Sequence, residues 1–228
     1  MTQVRVTLSA NAGVSIESGK HRIWVDALHK DKQAGFSAVT PELYRQVLDS
    51  NAFKVPNYIC VTHCHPDHYC EAMLEEARKR WPTAQLCLPK QEAYKVEDED
   101  LTLEFICLPH EGAQYSGVIH CGILICVGGI NILIAGDCET ASPALREVVG
   151  DRQIDLAILN FPWVTLSKGR AFLMQNLKPK HILLCHLPFE ADDVGGFRRS
   201  AQRNAQLLAG EMDIRLLCEP LQSEIVNI

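Results

Sequence analysis

Four things are missing from this sequence: a long hydrophobic run, an excess of positive charge, a cysteine framework and an internal repeat. No apolar stretch reaches the roughly 20 residues a membrane-spanning helix needs, so no membrane role is expected. The formal net charge of −6, from 22 basic and 28 acidic residues, offers no footprint for nucleic acid or an anionic surface. The opening Met1-Thr2-Gln3-Val4-Arg5 lacks the charged-then-apolar profile of a signal peptide. The 10 cysteines are scattered, mostly in apolar runs such as Ile106-Cys107-Leu108 and Leu184-Cys185-His186. That is how buried, reduced thiols are used, so the expected compartment is the cytoplasm. No repeat of solenoid period and no low-complexity tract occurs.

What is present suits a soluble α/β protein. Hydrophobic residues make up 47% of the 228 and charged residues 22%, enough to build a core. Nothing marks a linker, so residues 1–228 are expected to form one domain. Short apolar or alternating runs predict strands at Val4–Leu8, Gly13–Glu17 and Arg22–Val25, the last ending at Asp26. Residues 28–40 are polar and irregular, a candidate loop over a site. Thr40-Pro41-Glu42 opens a helix with an N-cap, proline at the first position and an acid in the first turn. Further strands are expected at Val55–Val61, Ala84–Leu88, Leu101–Leu108, Asp155–Leu159 and Ile182–Cys185, with small terminal strands at Ile214–Cys218 and Ile225–Ile228. Gly128-Gly129 predicts a hairpin between the runs Gly122–Val127 and Ile130–Ala135. Helices are expected at Glu71–Arg80, Lys90–Val96, Pro143–Val149, Lys168–Leu177 and Gly195–Ala209, and loops at Glu97–Asp100 and Asn160–Ser167.

One stretch has no packing explanation. His63-Cys64-His65-Pro66-Asp67-His68 sets three imidazoles and a carboxylate within six residues, directly after an apolar run. Such groups cannot all be buried unless something satisfies them, and a divalent metal does so. Imidazole nitrogen and carboxylate oxygen suit zinc, and also accept iron or manganese. By composition the pattern should arise in roughly one chain in a thousand. Three other expected strands also end near a ligand type: Leu108 before His110, Ala135 before Asp137, and Cys185 before His186. Loops beyond strand ends are where a rigid scaffold gathers chemistry.

His63-x-His65-x-Asp67-His68, followed by His110, Asp137 and His186, resembles the metallo-β-lactamase-fold metallohydrolases. With Ile23-Trp24-Val25-Asp26 and Ile154–Asn160, it looks most like the compact branch that includes the ascorbate-phosphate lactonase. The resemblance implies a four-layer αββα sandwich. It also implies two divalent ions, most simply zinc: His63, His65 and His110 on the first, Asp67, His68 and His186 on the second, and Asp137 bridging. The implied activity is hydrolysis, a bridging hydroxide attacking an ester or lactone carbonyl or a phosphodiester of a small molecule, with Asp67 orienting the nucleophile or taking its proton.

Departures narrow the family. Tyr69-Cys70-Glu71 replaces the Gly-Gly of hydroxyacylglutathione hydrolases, and His68 stands where the best-known β-lactamases carry Arg. No segment matches the flexible arm of the tRNA-processing nucleases, and no nucleic-acid partner is expected. Asp26 is a candidate hydrogen-bond partner of a ligand imidazole, and Tyr115 a candidate donor to substrate. Trp163 reads as a packing residue, and Cys64 and Cys138 as small buried ones. An iron-dependent oxidoreductase and a metal-retaining binding protein are the rival readings. A homo-oligomer is compatible with the sequence.

Overall fold

Alternating apolar residues at the start of the chain form three antiparallel strands in the computed structural model, which describes residues 2–30 and 35–228. The described residues gather into two compact units, each built on one sheet. The first takes its residues from Met1–Leu88, Cys185–Gly196 and Leu217–Ile228, and the second from Pro89–Leu184 and Phe197–Leu216.

Thirteen strands are described. In the first unit these are β1 (Gln3–Leu8), β2 (Val14–Ser18), β3 (His21–Val25), β4 (Tyr58–Cys60), β5 (Gln85–Cys87) and, at the far end of the chain, β13 (Ser223–Asn227). The second holds β6 (Tyr94–Asp98), β7 (Leu101–Cys107), β8 (Cys121–Val127), β9 (Ile130–Ile134), β10 (Leu156–Asn160), β11 (His181–Cys185, whose last residue falls in the first unit) and β12 (Asp213–Leu216).

The sheet of the first unit runs β13-β1-β2-β3-β4-β5. It is antiparallel as far as β3, and β3, β4 and β5 are parallel. Parallel neighbours present their C-terminal ends at one edge, so the residues after β3 and after β4 emerge side by side. Helix α1 (Pro41–Asp49) begins as expected, with the Thr40 hydroxyl accepting from the Leu43 N–H at 3.2 Å. With α2 (Glu71–Arg80) it covers a core in which Trp24 packs against Phe53 and, edge-on, Trp81, ring centroids 5.6 and 5.1 Å apart.

The sheet of the second unit runs β12-β11-β10-β9-β8-β7-β6. Its β8–β9 hairpin turns at Gly128 and Gly129, both at positive φ, as a two-residue turn with right-handed twist requires. Helices α3 (Pro143–Val149), α4 (Pro162–Thr165), α5 (Ser167–Phe172) and α6 (Phe197–Leu208) complete this unit. Their apolar residues, Leu145, Trp163, Phe172 and Leu208 among them, cluster with Ile106, Leu124, Leu133 and Ala157 of the sheet.

Four expectations fail locally. The helix expected over Lys90–Val96 is instead the edge strand β6, whose side chains find cross-strand partners: Tyr94 stacks on Phe105 at 4.4 Å, and Lys95 pairs with Glu104 at 3.6 Å. The expected turn Glu97–Asp100 therefore loses Glu97 and Asp98 to that strand. The stretch 160–167, expected as loop, contains the short helix α4, begun by Pro162 at a position that lacks a hydrogen-bonding N–H at no cost. The strand expected from Val55 starts only at Tyr58, because Val55 is at φ +51°, outside the extended region. Of the expected loop 28–40, residues 31–34 lie outside the described residues, and the rest has no regular structure up to α1. Among the described residues no helix is long and apolar enough to cross a membrane.

Trp24 is fully buried and touches two further aromatics, so Trp24→Ala should lower stability by about 3–5 kcal/mol. Urea unfolding of the two proteins measures this; an unchanged midpoint would remove Trp24 from the centre of that core.

Candidate metal centre

In the first unit the site is organised by Asp26, the residue after β3. It sits at φ +50° and is 2% exposed, and its N–H is held by the Cys60 carbonyl at 3.0 Å. One carboxylate oxygen accepts from the Thr62 N–H at 2.7 Å. The other accepts from the Thr62 hydroxyl at 2.6 Å and from His68 Nδ1 at 2.9 Å. A ring that donates Nδ1–H to a carboxylate carries its lone pair on Nε2, so Asp26 fixes His68 as an Nε2 ligand. The Thr62 hydroxyl has spent its proton on Asp26. Toward His63 Nδ1, 3.0 Å away, it can only accept, which leaves His63 with an Nε2 lone pair as well. One buried carboxylate thereby sets the tautomer of two imidazoles.

His63 Nε2 lies 3.1 Å from His65 Nδ1. Two nitrogens on one tetrahedral zinc lie about 3.3 Å apart, so this pair has the spacing of a shared ion. Pro66 starts a turn in which the N–H groups of His68 and Tyr69 both donate to the His65 carbonyl at 2.9 Å, reversing the chain. The turn delivers Asp67 and His68 to a second cluster with His186, the ligand atoms all within 4.8 Å of one another and all three residues buried. Asp67 Oδ2 stands 3.9 Å from His68 Nε2 and 3.7 Å from His186 Nε2. These separations are too long for hydrogen bonds and short enough for one ion to reach each atom at about 2.1 Å. His186 is held at φ +56°, its N–H bonded to the Asn11 carbonyl at 2.8 Å, and Phe36 packs edge-on against its ring at 4.5 Å.

In the second unit, the ends of β7 and β9 carry the other two expected ligands. His110 Nδ1 donates to the Glu111 carbonyl at 2.8 Å, so this ring too presents Nε2, 3.7 Å from Asp137 Oδ2. Asp137 Oδ1 accepts from the Asn160 amide at 2.8 Å; parallel pairing of β9 and β10 brings these two strand ends together. Glu111 accepts from the Thr140 N–H and from Lys168. Partial burial works against the charge, but those bonds hold its carboxyl below the usual range.

Every predicted site residue is thus placed beside another: His63 with His65, Asp67 with His68 and His186, Asp26 with His68, and His110 with Asp137. Tyr115, on a short turn, lies with its ring 4.7 Å from that of His110. Trp163 is core, 1% exposed, and Cys138 is buried. Cys64, expected to be buried, is exposed: the flanking His63 and His65 rings face each other at 4.6 Å, so the side chain between them turns away. Three residues had no sequence signal of their role: Asn11, whose amide reaches the Asp67 carbonyl at 3.2 Å, Thr62 and Asn160. All-nitrogen-and-oxygen donors, with the tautomers of His63, His68 and His110 set to leave Nε2 open, fit divalent metal.

No protein-family model matches the sequence, and no curated protein matches it. Solved structures do. Igni18, a metallo hydrolase from the hyperthermophilic archaeon Ignicoccus hospitalis, shares 14% identity at TM-score 0.65 over 99% of each chain. The metallo-β-lactamase-fold protein YhfI of Bacillus subtilis gives 12% and 0.60 over 99% of this chain and 100% of its own. CmlA, a diiron β-hydroxylase from Streptomyces venezuelae, gives 13% and 0.67 over 99% of this chain, which spans about half (54%) of CmlA. The chain has the metallo-β-lactamase fold. These structures do not single out the ascorbate-phosphate lactonase branch.

If Asp26 sets the imidazoles, Asp26→Ala should weaken zinc binding about 10–100-fold, measured by competition with a chromophoric chelator. Affinity equal to that of the original protein would exclude the role. Gly13→Ala tests the same point indirectly, since a Cβ there would meet the Asp26 carbonyl at 2.6 Å and should displace the carboxylate.

Proposed function

We propose that the chain is a metal-dependent hydrolase of small-molecule esters, lactones or phosphodiesters. His63, His65, Asp67, His68, His110, Asp137 and His186 would hold two divalent ions, zinc first, with manganese or iron as alternatives. The observation that carries the reading is the Asp26 carboxylate, whose hydrogen bonds commit His68, and through Thr62 His63, to lone pairs on Nε2. A structural histidine has no need of such a lock; a ligand does. Bound ions would supply Lewis-acid charge and a water that ionises near neutral pH.

The chain's own groups do the rest. Asp67, steadied by the Asn11 amide 3.4 Å from its Oδ2, orients the attacking water and takes its proton. Asn160 holds Asp137 in one rotamer. The Tyr115 hydroxyl is the donor for a substrate oxygen. The scattered cysteine usage supports a cytoplasmic setting.

A second reading is favoured by one observation: the diiron hydroxylase CmlA shares the fold over almost all of this chain. Elemental analysis of protein purified without added metal, with a screen on bis-p-nitrophenyl phosphate, simple lactones and thioesters, separates the two. The hydrolase should contain about two zinc or manganese ions and lose its chelator-sensitive cleavage about 100-fold or more in His65→Ala. Bound iron with oxygen consumption and no hydrolysis would replace that reading with the oxidoreductase. Little metal, and no activity after reconstitution, would leave a binding protein.

A further inference from the structure

Two cysteines face each other across the β7–β8 pair. Cys107 and Cys121 are register partners on neighbouring strands. Both also point at the Lys90 carbonyl, 3.6 and 3.7 Å from it. The next pair along, Leu108 and His120, exchanges a backbone hydrogen bond, with Leu108 N–H donating to the His120 carbonyl at 3.1 Å. In an antiparallel ladder bonded and non-bonded pairs alternate, so Cys107 and Cys121 occupy a non-hydrogen-bonded position, where Cα atoms approach to about 4.5 Å. That lies inside the range a disulfide spans, at its short end.

Access distinguishes this pair. Cys107 is exposed and lines a cavity of about 300 Å³ with Lys90, Gln91, Ile119 and His120, while Cys121 lies buried behind it. A second cross-strand pair, Cys60 and Cys87 of β4 and β5, is buried on both sides and lies on parallel strands. Burial and its neighbour Cys87 push the Cys60 thiol well up, so that pair is packing.

We infer that Cys107 and Cys121 form a reversible redox dithiol, closed to a cross-strand disulfide by low-molecular-weight disulfides. Exchange begins at the exposed sulfur. The Cys107 thiolate, having lost its proton to solvent, attacks one sulfur of glutathione disulfide, forming a mixed disulfide and releasing one glutathione. Cys121, deprotonated in turn, attacks the Cys107 sulfur and expels the second. The protein loses two protons and two electrons, and one glutathione disulfide becomes two glutathione thiols. Cβ atoms of such a pair normally stand about 4.5–5.5 Å apart, and a disulfide needs them nearer 3.8 Å. The bond is therefore strained and easily reduced, a property of labile disulfides rather than structural ones. Burial pushes the Cys121 thiol up to about 11, so the second step is the slower one.

The test is peptide mapping of the full chain after incubation with glutathione disulfide at about pH 8.5, with alkylation of the remaining thiols. A cross-linked peptide pair containing Cys107 and Cys121, lighter than its sum by two hydrogen atoms and lost on adding dithiothreitol, is the expected result. Cys121→Ser should stop at the Cys107 mixed disulfide. Cys107→Ser, at an exposed position that tolerates the change, should leave Cys121 unmodified. Wild-type protein that stops at the mixed disulfide, or that links Cys107 to another cysteine, would overturn the proposal.

Discussion

A buried carboxylate must be satisfied or expelled, and Asp26 is satisfied by three donors at once. Left without them, a charge in that position would cost several kcal/mol. The Thr62 N–H, the Thr62 hydroxyl and the His68 imidazole therefore cannot move independently of it. The backbone shares the constraint: Asp26 is held in the left-handed region, which an aspartate tolerates better than most residues but still at a cost. Gly13 permits this by leaving room for the Asp26 carbonyl. The turn that carries His63 to His68 is thus built on its neighbour strand.

The second unit solves the same problem with weaker means. His110 is oriented by a backbone carbonyl, where His68 has a carboxylate. A carboxylate partner makes an imidazole more basic than a neutral carbonyl does, so the two rings should not be equal as ligands. Asp137 is steadied by a neutral amide, and the nearby acid Glu111 is engaged by Thr140 and Lys168, which spend its charge away from His110. The tuning in each unit is set by which partner the strand end happens to meet.

What was legible in the sequence was local. His63 to His68 announced itself because four ligand residues within six positions have no packing rationale, and His110, Asp137 and His186 because each follows an apolar run. Asp26 was legible as the partner of a ligand imidazole and not as a relay, since the link through Thr62 exists only when β3 and β4 lie parallel. Asn11 and Asn160 were invisible for the same reason: their amides act on carboxylates 56 and 23 residues away. The strand β6 was misread because its apolar positions are few, and its conformation is decided by Phe105 and Glu104 on the neighbouring strand. Propensity loses to such pairing at a sheet edge.

The fold does not choose the reaction, as a metallo hydrolase and a diiron hydroxylase both superposing on nearly all of this chain make plain. What is left to choose it is the donor set and its surroundings. Imidazole and carboxylate without thiolate form a borderline set that zinc, manganese and iron all accept, so ligand type alone leaves the metal open. The surroundings support the hydrolase proposed above. The carboxylate Asp67 lies among the imidazoles of the first unit with its Oδ2 held by Asn11, as a proposed base for water would have to be. Phe36 makes a T-shaped contact with His186, setting an apolar ring beside it, and charge interactions strengthen next to apolar groups. A preorganised base is what water activation requires, and the fixed position of Asp67 is the argument for the proposed hydrolase.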